Sequence, residues 1–123
     1  MNRIIDQEDI TLNVDKLTDG NIINHSLEAS LLVNTTPVGT SPYNDFSIWP
    51  DHEKIPKNAF VFDLVYNPTE TKLLKQAKIA GCHYINGLEM LIQQAAKSFE
   101  IWTKITTPLD IMYKAYLNHN GGL

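Results

Sequence analysis

The chain has 123 residues, the size of one ordinary domain, and its 43% hydrophobic and 20% charged residues argue against disorder. The net charge is −4: residues 1–29 hold six acids and two bases and the rest holds eight of each, so nucleic-acid binding is not expected. The single Cys82 excludes a disulfide framework and a multi-thiolate zinc site, and the lack of a signal peptide or a membrane-length apolar run predicts a cytoplasmic protein without a membrane partner.

The first half of the sequence predicts two strands and a long loop. Alternation of apolar and polar residues predicts a half-buried strand over residues 10–14. A predicted turn at residues 19–21 leads into one or two helical turns within residues 21–29. The compact apolar run at residues 30–36 predicts a strand that ends where polar side chains begin, and the three prolines of residues 40–58 predict a loop.

The middle of the sequence predicts a strand, a helix and a further strand. Residues 59–66 are apolar almost throughout, which predicts a parallel strand covered on both faces. Helical spacing predicts a helix over residues 71–80, and Gly81 suits the position just after its last turn. Residues 82–85 then predict a short strand.

Two predicted helices close the chain. Helical periodicity predicts a helix over residues 88–103, whose core-facing apolar stripe is Leu88, Leu91, Ile92, Ala95, Phe99 and Trp102. Thr107 and Pro108 predict the N-cap and first residue of a last helix that ends at residues 120–122. This order of elements implies parallel crossovers and an α/β layer fold, with too few strands for a complete doubly wound sheet.

The residues exclude several kinds of site. The six glycines have neither the dinucleotide-binding nor the P-loop spacing. The four histidines lie far apart and no pair has the spacing of a helical metal site, so no metal is expected. No serine has the setting of a nucleophile elbow.

The ends of the three clear strands share a polar pattern. Asn34, Asn67 and Asn86 each follow or end a predicted strand, and Gly39 and Gly87 lie beside two of them. Ligands of parallel sheets bind outside the carboxyl ends of the strands, and glycine lets the backbone approach a ligand closely. Each strand end taken singly is more typical of a turn, but the three together predict a binding crevice.

Three sequence blocks, NTTPVG at 34–39, FDLVYNP at 62–68 and NGLEMLIQQAAKSFEIWT at 86–103, resemble the C-terminal half of shikimate dehydrogenase, and the spacing between them matches. The resemblance covers about residues 30–104. It implies a partial Rossmann-like three-layer parallel sheet with flanking helices, in an oxidoreductase of aromatic amino-acid biosynthesis that reduces 3-dehydroshikimate to shikimate with NADPH. Residues 1–123 would then be the C-terminal part of the NADP-binding domain.

The resemblance also implies roles for individual residues. Those placed along the cofactor are Asn34, Thr35, Thr36, Leu64 and Gly87, with Leu64 on the nicotinamide and Gly87 leaving room for it. Tyr66 and Gln94 would bind the substrate. Asp63, inside an apolar strand, is expected to bond nearby backbone rather than to take part in catalysis.

The departures from the family lead to further expectations. Nothing in the sequence corresponds to the substrate domain with its catalytic Lys and Asp, to the Gly-rich phosphate loop, or to the basic motif that reads the 2′-phosphate. We therefore expect a fragment that contains no catalytic residue and is inactive alone. Because half a sheet leaves an edge unpaired and apolar faces uncovered, we also expect a homo-oligomer.

Two other functions fit the same residues. The chain could derive from a quinate or quinate/shikimate dehydrogenase that uses NAD, since the residues that discriminate these enzymes fall outside the matched blocks. Alternatively, it could be a non-enzymatic interaction module that completes a separately encoded N-terminal chain.

Overall fold

The computed structural model describes residues 11–120, which form four helices and three strands. In chain order these are α1 (Asp19–Ser26), β1 (Leu31–Asn34), β2 (Phe60–Asp63), α2 (Lys72–Ala80), β3 (His83–Asn86), α3 (Leu88–Thr103) and α4 (Leu109–Asn120). The strands form one parallel sheet in the order β1-β2-β3, in which Asn34, Asp63 and Asn86 lie side by side. The predicted α/β class, parallel sheet and flanking helices are confirmed.

Local sequence signals set both ends of α2. The Thr71 hydroxyl accepts a hydrogen bond from the Leu74 N–H at 3.3 Å, and Gly81 ends the helix in the left-handed conformation at φ 76°. Leu73, Leu74 and Ala77 recur at helical spacing and all three are buried. The predicted helix and its terminal glycine are confirmed.

The main hydrophobic core lies on one face of the sheet. Its buried members are Ile22, Trp49, Ile55, Ala59, Val61, Leu73, Leu74, Ala77 and Cys82. Trp49 belongs to the predicted loop, yet it is only 2% exposed and its indole N–H donates to the Glu53 carbonyl at 2.9 Å. Burial of each large side chain contributes about 1.5–3 kcal/mol, so this loop is part of the packed domain.

The opposite face of the sheet is more open. Its side chains Leu31, Val33, Phe60 and Ile85 are between 38% and 56% exposed, while Val61 on the core face is fully buried. Successive residues of a strand point to opposite faces, so this contrast follows the strand period. The prediction that residues 59–66 are covered on both faces is therefore confirmed on the core face only.

Helices α3 and α4 form a pair that follows the sheet. The bounds predicted for α3 are confirmed, but its stripe is only partly buried: Ile92 is 4% exposed and Trp102 80% exposed. The hydroxyl of Thr107, predicted as an N-cap, instead donates to the Ala96 carbonyl at 2.7 Å and ties the start of α4 to α3. The predicted end of the last helix falls partly on residues 121 and 122, outside the described residues.

The described N-terminal region corrects two predictions. Residues 11–14 form no strand and are fully solvent-facing, so the strand predicted over residues 10–14 is wrong there, and residue 10 lies outside the described residues. The predicted turn at residues 19–21 is the first turn of α1, where the Thr18 hydroxyl accepts from the Asn21 N–H at 3.2 Å. Alternation alone does not make a strand when no neighbouring strand pairs with it.

Residues 11–120 include no helix long and apolar enough to cross a membrane. Within the same residues, no group of three or more His, Cys, Asp or Glu side chains could hold a metal ion. Cys82 is 7% exposed in the core, and this burial raises the pKa of its thiol above the ordinary value of 9.0.

Candidate functional site

The carboxyl ends of the three strands are joined laterally into one continuous edge. The Leu64 N–H donates to the Asn34 carbonyl at 3.0 Å, and the Gly87 N–H donates to the Val65 carbonyl at 3.2 Å. Parallel pairing therefore brings the three sequence blocks that follow β1, β2 and β3 to the same edge of the sheet. This is the edge at which parallel α/β sheets bind ligands.

Asn34 organises the first of these strand ends from inside the protein. It is 1% exposed, and its amide donates to Asp63 Oδ1 at 2.9 Å and to the Val38 carbonyl at 3.3 Å. Its carbonyl oxygen accepts from the Thr36 N–H at 3.0 Å and from the Thr36 hydroxyl at 2.7 Å. With its donors and acceptor all used internally, the Asn34 side chain shapes the loop, and its contact with a cofactor stays a prediction.

Asp63 is the fully buried centre of the same network. Besides Asn34, its carboxylate accepts from the Val65 N–H at 3.1 Å and from the Thr71 hydroxyl at 2.5 Å. These three donors satisfy the buried carboxyl oxygens. The expected bonding to nearby backbone is confirmed, and the two side-chain partners join β1, β2 and the N-terminus of α2 at one point.

Gly87 and Leu64 form the tightest contact of the edge. A Cβ added at Gly87 would lie 1.9 Å from the Leu64 carbonyl oxygen and 2.5 Å from its carbonyl carbon. Only glycine permits this approach of β3's end to β2's end. The space predicted for a nicotinamide beside Gly87 is filled on this side by the protein's own backbone.

The remaining predicted site residues differ in what they offer to a ligand. Thr35 is exposed, Leu64 is half-buried and Tyr66 is 39% exposed. The hydroxyl of Thr36 is occupied by Asn34 and by the Val38 N–H. The Gln94 side chain is exposed, but its amide donates back to the Leu91 carbonyl of its own helix at 2.9 Å.

A groove of about 430 Å³ opens beside β1, within the size range of ligand pockets. Asn34, Thr35 and Thr36 line it together with residues of α1 and of the segment before α1. Leu64, Tyr66, Gly87 and Gln94 do not line it. The structure thus brings the predicted residues to one sheet edge without gathering all of them around a single cavity.

Two polar residues near the edge were assigned no individual role from the sequence. Thr71 supplies a donor to Asp63, and it could have been suspected as a helix N-cap directly after a strand. Asn86 bridges outward, donating to the Thr69 carbonyl at 2.9 Å and accepting from the Leu88 N–H at 3.1 Å. The position of Asn86 at the end of a predicted strand is the sequence feature that indicates it, and its two hydrogen bonds stabilise the turn between β3 and α3.

The start of α3 carries a perturbed carboxyl. The hydrogen bond from Tyr113 of α4, followed by that from Gln93, lowers the pKa of Glu89 below its ordinary range. The same contact with Glu89 raises the pKa of the Tyr113 phenol. Glu89 is exposed and Tyr113 half-buried, and their hydrogen bond links α3 to α4.

The strand-end residues fit only part of a dinucleotide. Thr35, Leu64 and Tyr66 offer a hydroxyl, an apolar side chain and a phenol, which suit the flat nicotinamide and a hydroxylated substrate. Residues 34–39, 64–68 and 86–88 contain no lysine or arginine. These segments therefore supply no cation for the phosphates of a dinucleotide.

Known proteins match the chain in the same regions. The family model of the shikimate 5′-dehydrogenase C-terminal domain matches residues 87–115. The shikimate dehydrogenase (NADP(+)) of Alkaliphilus oremlandii is 48% identical over 87 residues, which are 71% of this chain and 30% of that protein. The chain spans about a third of the length of the curated relatives it matches.

Solved structures agree with the sequence matches. Shikimate 5-dehydrogenase from Listeria monocytogenes, in complex with shikimate and NAD, matches with a TM-score of 0.69 and 34% identity over 80% of this chain and 34% of that chain. Quinate dehydrogenase from Corynebacterium glutamicum, in complex with NAD, matches with a TM-score of 0.70 and 30% identity, over 81% of this chain and 35% of that chain. Over the matched residues the chain is similar to the C-terminal part of shikimate dehydrogenases.

Proposed function

We propose that the chain is the nicotinamide-side part of an NADP-dependent shikimate dehydrogenase, which interconverts 3-dehydroshikimate and shikimate in aromatic amino-acid biosynthesis. The observation that carries this proposal is that the strand ends containing Asn34, Leu64 and Gly87 are joined into one edge of the sheet. The sequence similarity supports it, because a shikimate dehydrogenase (NADP(+)) is 48% identical over 87 residues of the chain. We propose further that residues 1–123 are the C-terminal part of a Rossmann-like cofactor domain in a soluble, cytoplasmic protein without a nucleic-acid partner.

The proposed roles follow from what each side chain exposes. When bound, the nicotinamide would supply or accept the hydride. Thr35 and half-buried Leu64 would contact the cofactor, while Asn34 and Thr36 hold the loop in the shape that presents Thr35. The Tyr66 phenol and the Gln94 amide would bind the hydroxyl and carboxylate groups of the substrate, Gln94 after releasing the Leu91 carbonyl.

The chain alone is proposed to be inactive. Hydride transfer to a ketone needs a group that donates the proton and a site that binds the cofactor's phosphates. The strand-end segments contain no lysine, arginine, histidine or aspartate, and the match covers only 30% of the Alkaliphilus oremlandii enzyme. Binding and proton transfer would therefore depend on parts that this sequence does not contain.

A graft tests the proposal directly. The matched 87-residue stretch of the Alkaliphilus oremlandii enzyme would be replaced by the corresponding residues of this chain, and NADPH formation from shikimate would be followed by absorbance. We expect an active chimaera, with Tyr66→Phe raising KM for shikimate and the exposed Asp45→Asn unchanged. A folded but inactive chimaera, or appreciable turnover by the isolated chain, contradicts the proposal.

A quinate dehydrogenase that uses NAD is the second candidate, favoured by the match to the Corynebacterium glutamicum enzyme. A parallel graft into that enzyme, assayed with quinate and shikimate and with both cofactors, separates the two. If the grafted segment determines the preference for substrate and cofactor, both chimaeras prefer the same substrate and the same cofactor, whichever enzyme received the graft. If preference resides elsewhere, both chimaeras keep that of the recipient enzyme.

A homo-oligomer is part of the proposal, and a non-enzymatic interaction module is its alternative. Both are supported by the open face of the sheet, where Leu31 is 56% and Phe60 41% exposed. Light scattering of the pure chain over a range of concentrations tests the first. A stable monomer at high concentration contradicts the homo-oligomer and favours the module.

A further inference from the structure

Two residues of the loop after β1 are hydrogen-bonded to the chain that follows β2. The Thr40 hydroxyl donates to the Asn67 carbonyl at 3.2 Å, and the Ser41 N–H donates to the same carbonyl at 3.3 Å. A backbone carbonyl oxygen has two lone pairs, so it can accept both bonds. The segment that leaves the end of β2 at Asp63 is therefore attached to this loop.

A turn with a buried glycine brings Thr40 to this position. The Thr40 N–H donates to the Pro37 carbonyl at 3.1 Å, and Gly39 takes φ 93°, a conformation that favours glycine. A Cβ added at Gly39 would lie 3.5 Å from the Cβ of Thr71, the N-cap residue of α2. The loop is thus packed against the start of α2, and the Thr40 hydroxyl donates from a defined place.

Tyr66 lies between two anchored peptide groups. On one side the Gly87 N–H donates to the Val65 carbonyl at 3.2 Å, and on the other side the loop after β1 holds the Asn67 carbonyl. The Tyr66 side chain is 39% exposed, and its phenol makes no hydrogen bond to another residue within residues 11–120. The direction of the phenol therefore depends on the backbone that carries it.

We propose that Thr40 is a positioning residue for Tyr66: its hydroxyl, through the Asn67 carbonyl, holds the backbone that directs the phenol towards the substrate. This inference rests on the proposed function, in which Tyr66 binds shikimate. The other donors to the two anchored carbonyls are backbone N–H groups, so the Thr40 hydroxyl is the side-chain part of the anchor. A displacement of about 1 Å in a group that orients the substrate is enough to impair an enzyme.

Substitutions at position 40 isolate the hydroxyl. Thr40→Val replaces it with a methyl group of similar size, so the Asn67 carbonyl keeps only the Ser41 donor. Thr40→Ser keeps a hydroxyl and should preserve the anchor. Thr69→Val is the matched control, because Thr69 is exposed and its hydroxyl makes no hydrogen bond to another described residue.

Kinetics of the graft chimaera test the position of the phenol. Thr40→Val should raise KM for shikimate about threefold or more, as the loss of one hydrogen bond does, and leave KM for NADP unchanged. Thr40→Ser and Thr69→Val should keep both values. The double variant Thr40→Val/Tyr66→Phe should have the KM of Tyr66→Phe alone, because no phenol remains for Thr40 to position. An unchanged KM in Thr40→Val, or additive effects in the double variant, overturns the inference and leaves the proposed function intact.

Nuclear magnetic resonance of the isolated chain gives a readout that needs no activity. The backbone order parameter of the Tyr66 amide should be about 0.85 in the wild type, fall in Thr40→Val and return in Thr40→Ser, while circular dichroism shows one fold for all variants. A value below about 0.6 in the wild type, or equal values in the wild type and Thr40→Val, overturns the inference. An inactive chimaera contradicts the proposed function, and the order parameters then decide independently whether Thr40 holds Tyr66.

Discussion

The Asn34 amide and the Asp63 carboxylate meet inside the protein at 2.9 Å, across the ladder between β1 and β2. The two residues are 29 positions apart in sequence and are 1% and 0% exposed. Their bond fixes the loop that presents Thr35 to the groove beside β1, so the position of the candidate site depends on a contact inside the protein.

Asp63→Asn should destabilise the fold by about 1–3 kcal/mol, because an amide cannot accept from all three donors and leaves one of them unsatisfied. Urea unfolding followed by circular dichroism measures the change in midpoint. The exposed Asp45→Asn is the control and should stay within about 0.5 kcal/mol of wild type. Equal stabilities of the two variants would show that the buried network contributes nothing.

Gly87→Ala should cost about 1–3 kcal/mol or more, because the new methyl group would meet the Leu64 carbonyl oxygen at 1.9 Å and force the backbone of two strand ends apart. Gly20→Ala, in helix α1, is the matched change, because a Cβ added at Gly20 would have no other atom within 4 Å. It should be neutral or stabilising by about 0.5–1 kcal/mol. Thermal unfolding of both variants gives the comparison, and an undisturbed Gly87→Ala refutes the close approach.

Thr107→Val should loosen α4. The substitution removes the bond from the Thr107 hydroxyl to the Ala96 carbonyl, which lies inside α3 and keeps its helical partner, at a cost of about 0.5–1.5 kcal/mol. Hydrogen exchange of the α4 amides should accelerate, while exchange within α2 stays the same. Thr106→Val, at the exposed neighbouring position, should change neither helix. Equal exchange rates in the two variants would mean that this bond does not dock α4.

Cys82 should react slowly with iodoacetamide in the folded protein. Burial raises the pKa of its thiol above 9.0, so at pH 8 the thiolate fraction is smaller than in the unfolded chain. The unfolded thiol also ionises first, so the free energy of unfolding should fall as the pH rises past 9.0. Cys82→Ala should lack this part of the pH dependence, and fast alkylation of native protein would contradict the burial.

Local patterns predicted the elements well where a periodic signal was long. Helix α3 has the predicted bounds because sixteen residues repeat one helical period, and α2 carries a cap at each end. Residues 11–14 show the opposite case, because four alternating residues satisfy a strand pattern that only a neighbouring strand can stabilise. The prediction that the α3 stripe faces the core is wrong at Trp102, which is 80% exposed. Periodicity shows which residues share one face of a helix, but it does not show what packs against that face.

The candidate site was predictable in place but not in detail. Asparagines at successive strand ends indicated the correct sheet edge, because parallel topology brings those ends together. The internal use of the Asn34 side chain was not predictable, since it depends on Asp63 and Val38 taking positions that only the folded chain defines. The glycine at position 87 likewise satisfies a backbone contact that no local pattern reveals.

The two tryptophans give the protein a pair of opposed fluorescent reporters. Trp49 is 2% exposed with its indole N–H bonded to Glu53, and Trp102 is 80% exposed on α3. An aqueous quencher should reach Trp102 first and leave the shorter-wavelength emission of Trp49. Loss of that protected emission on unfolding would therefore follow the long loop and the core together, while Trp102 would report separately on anything that covers the helical pair.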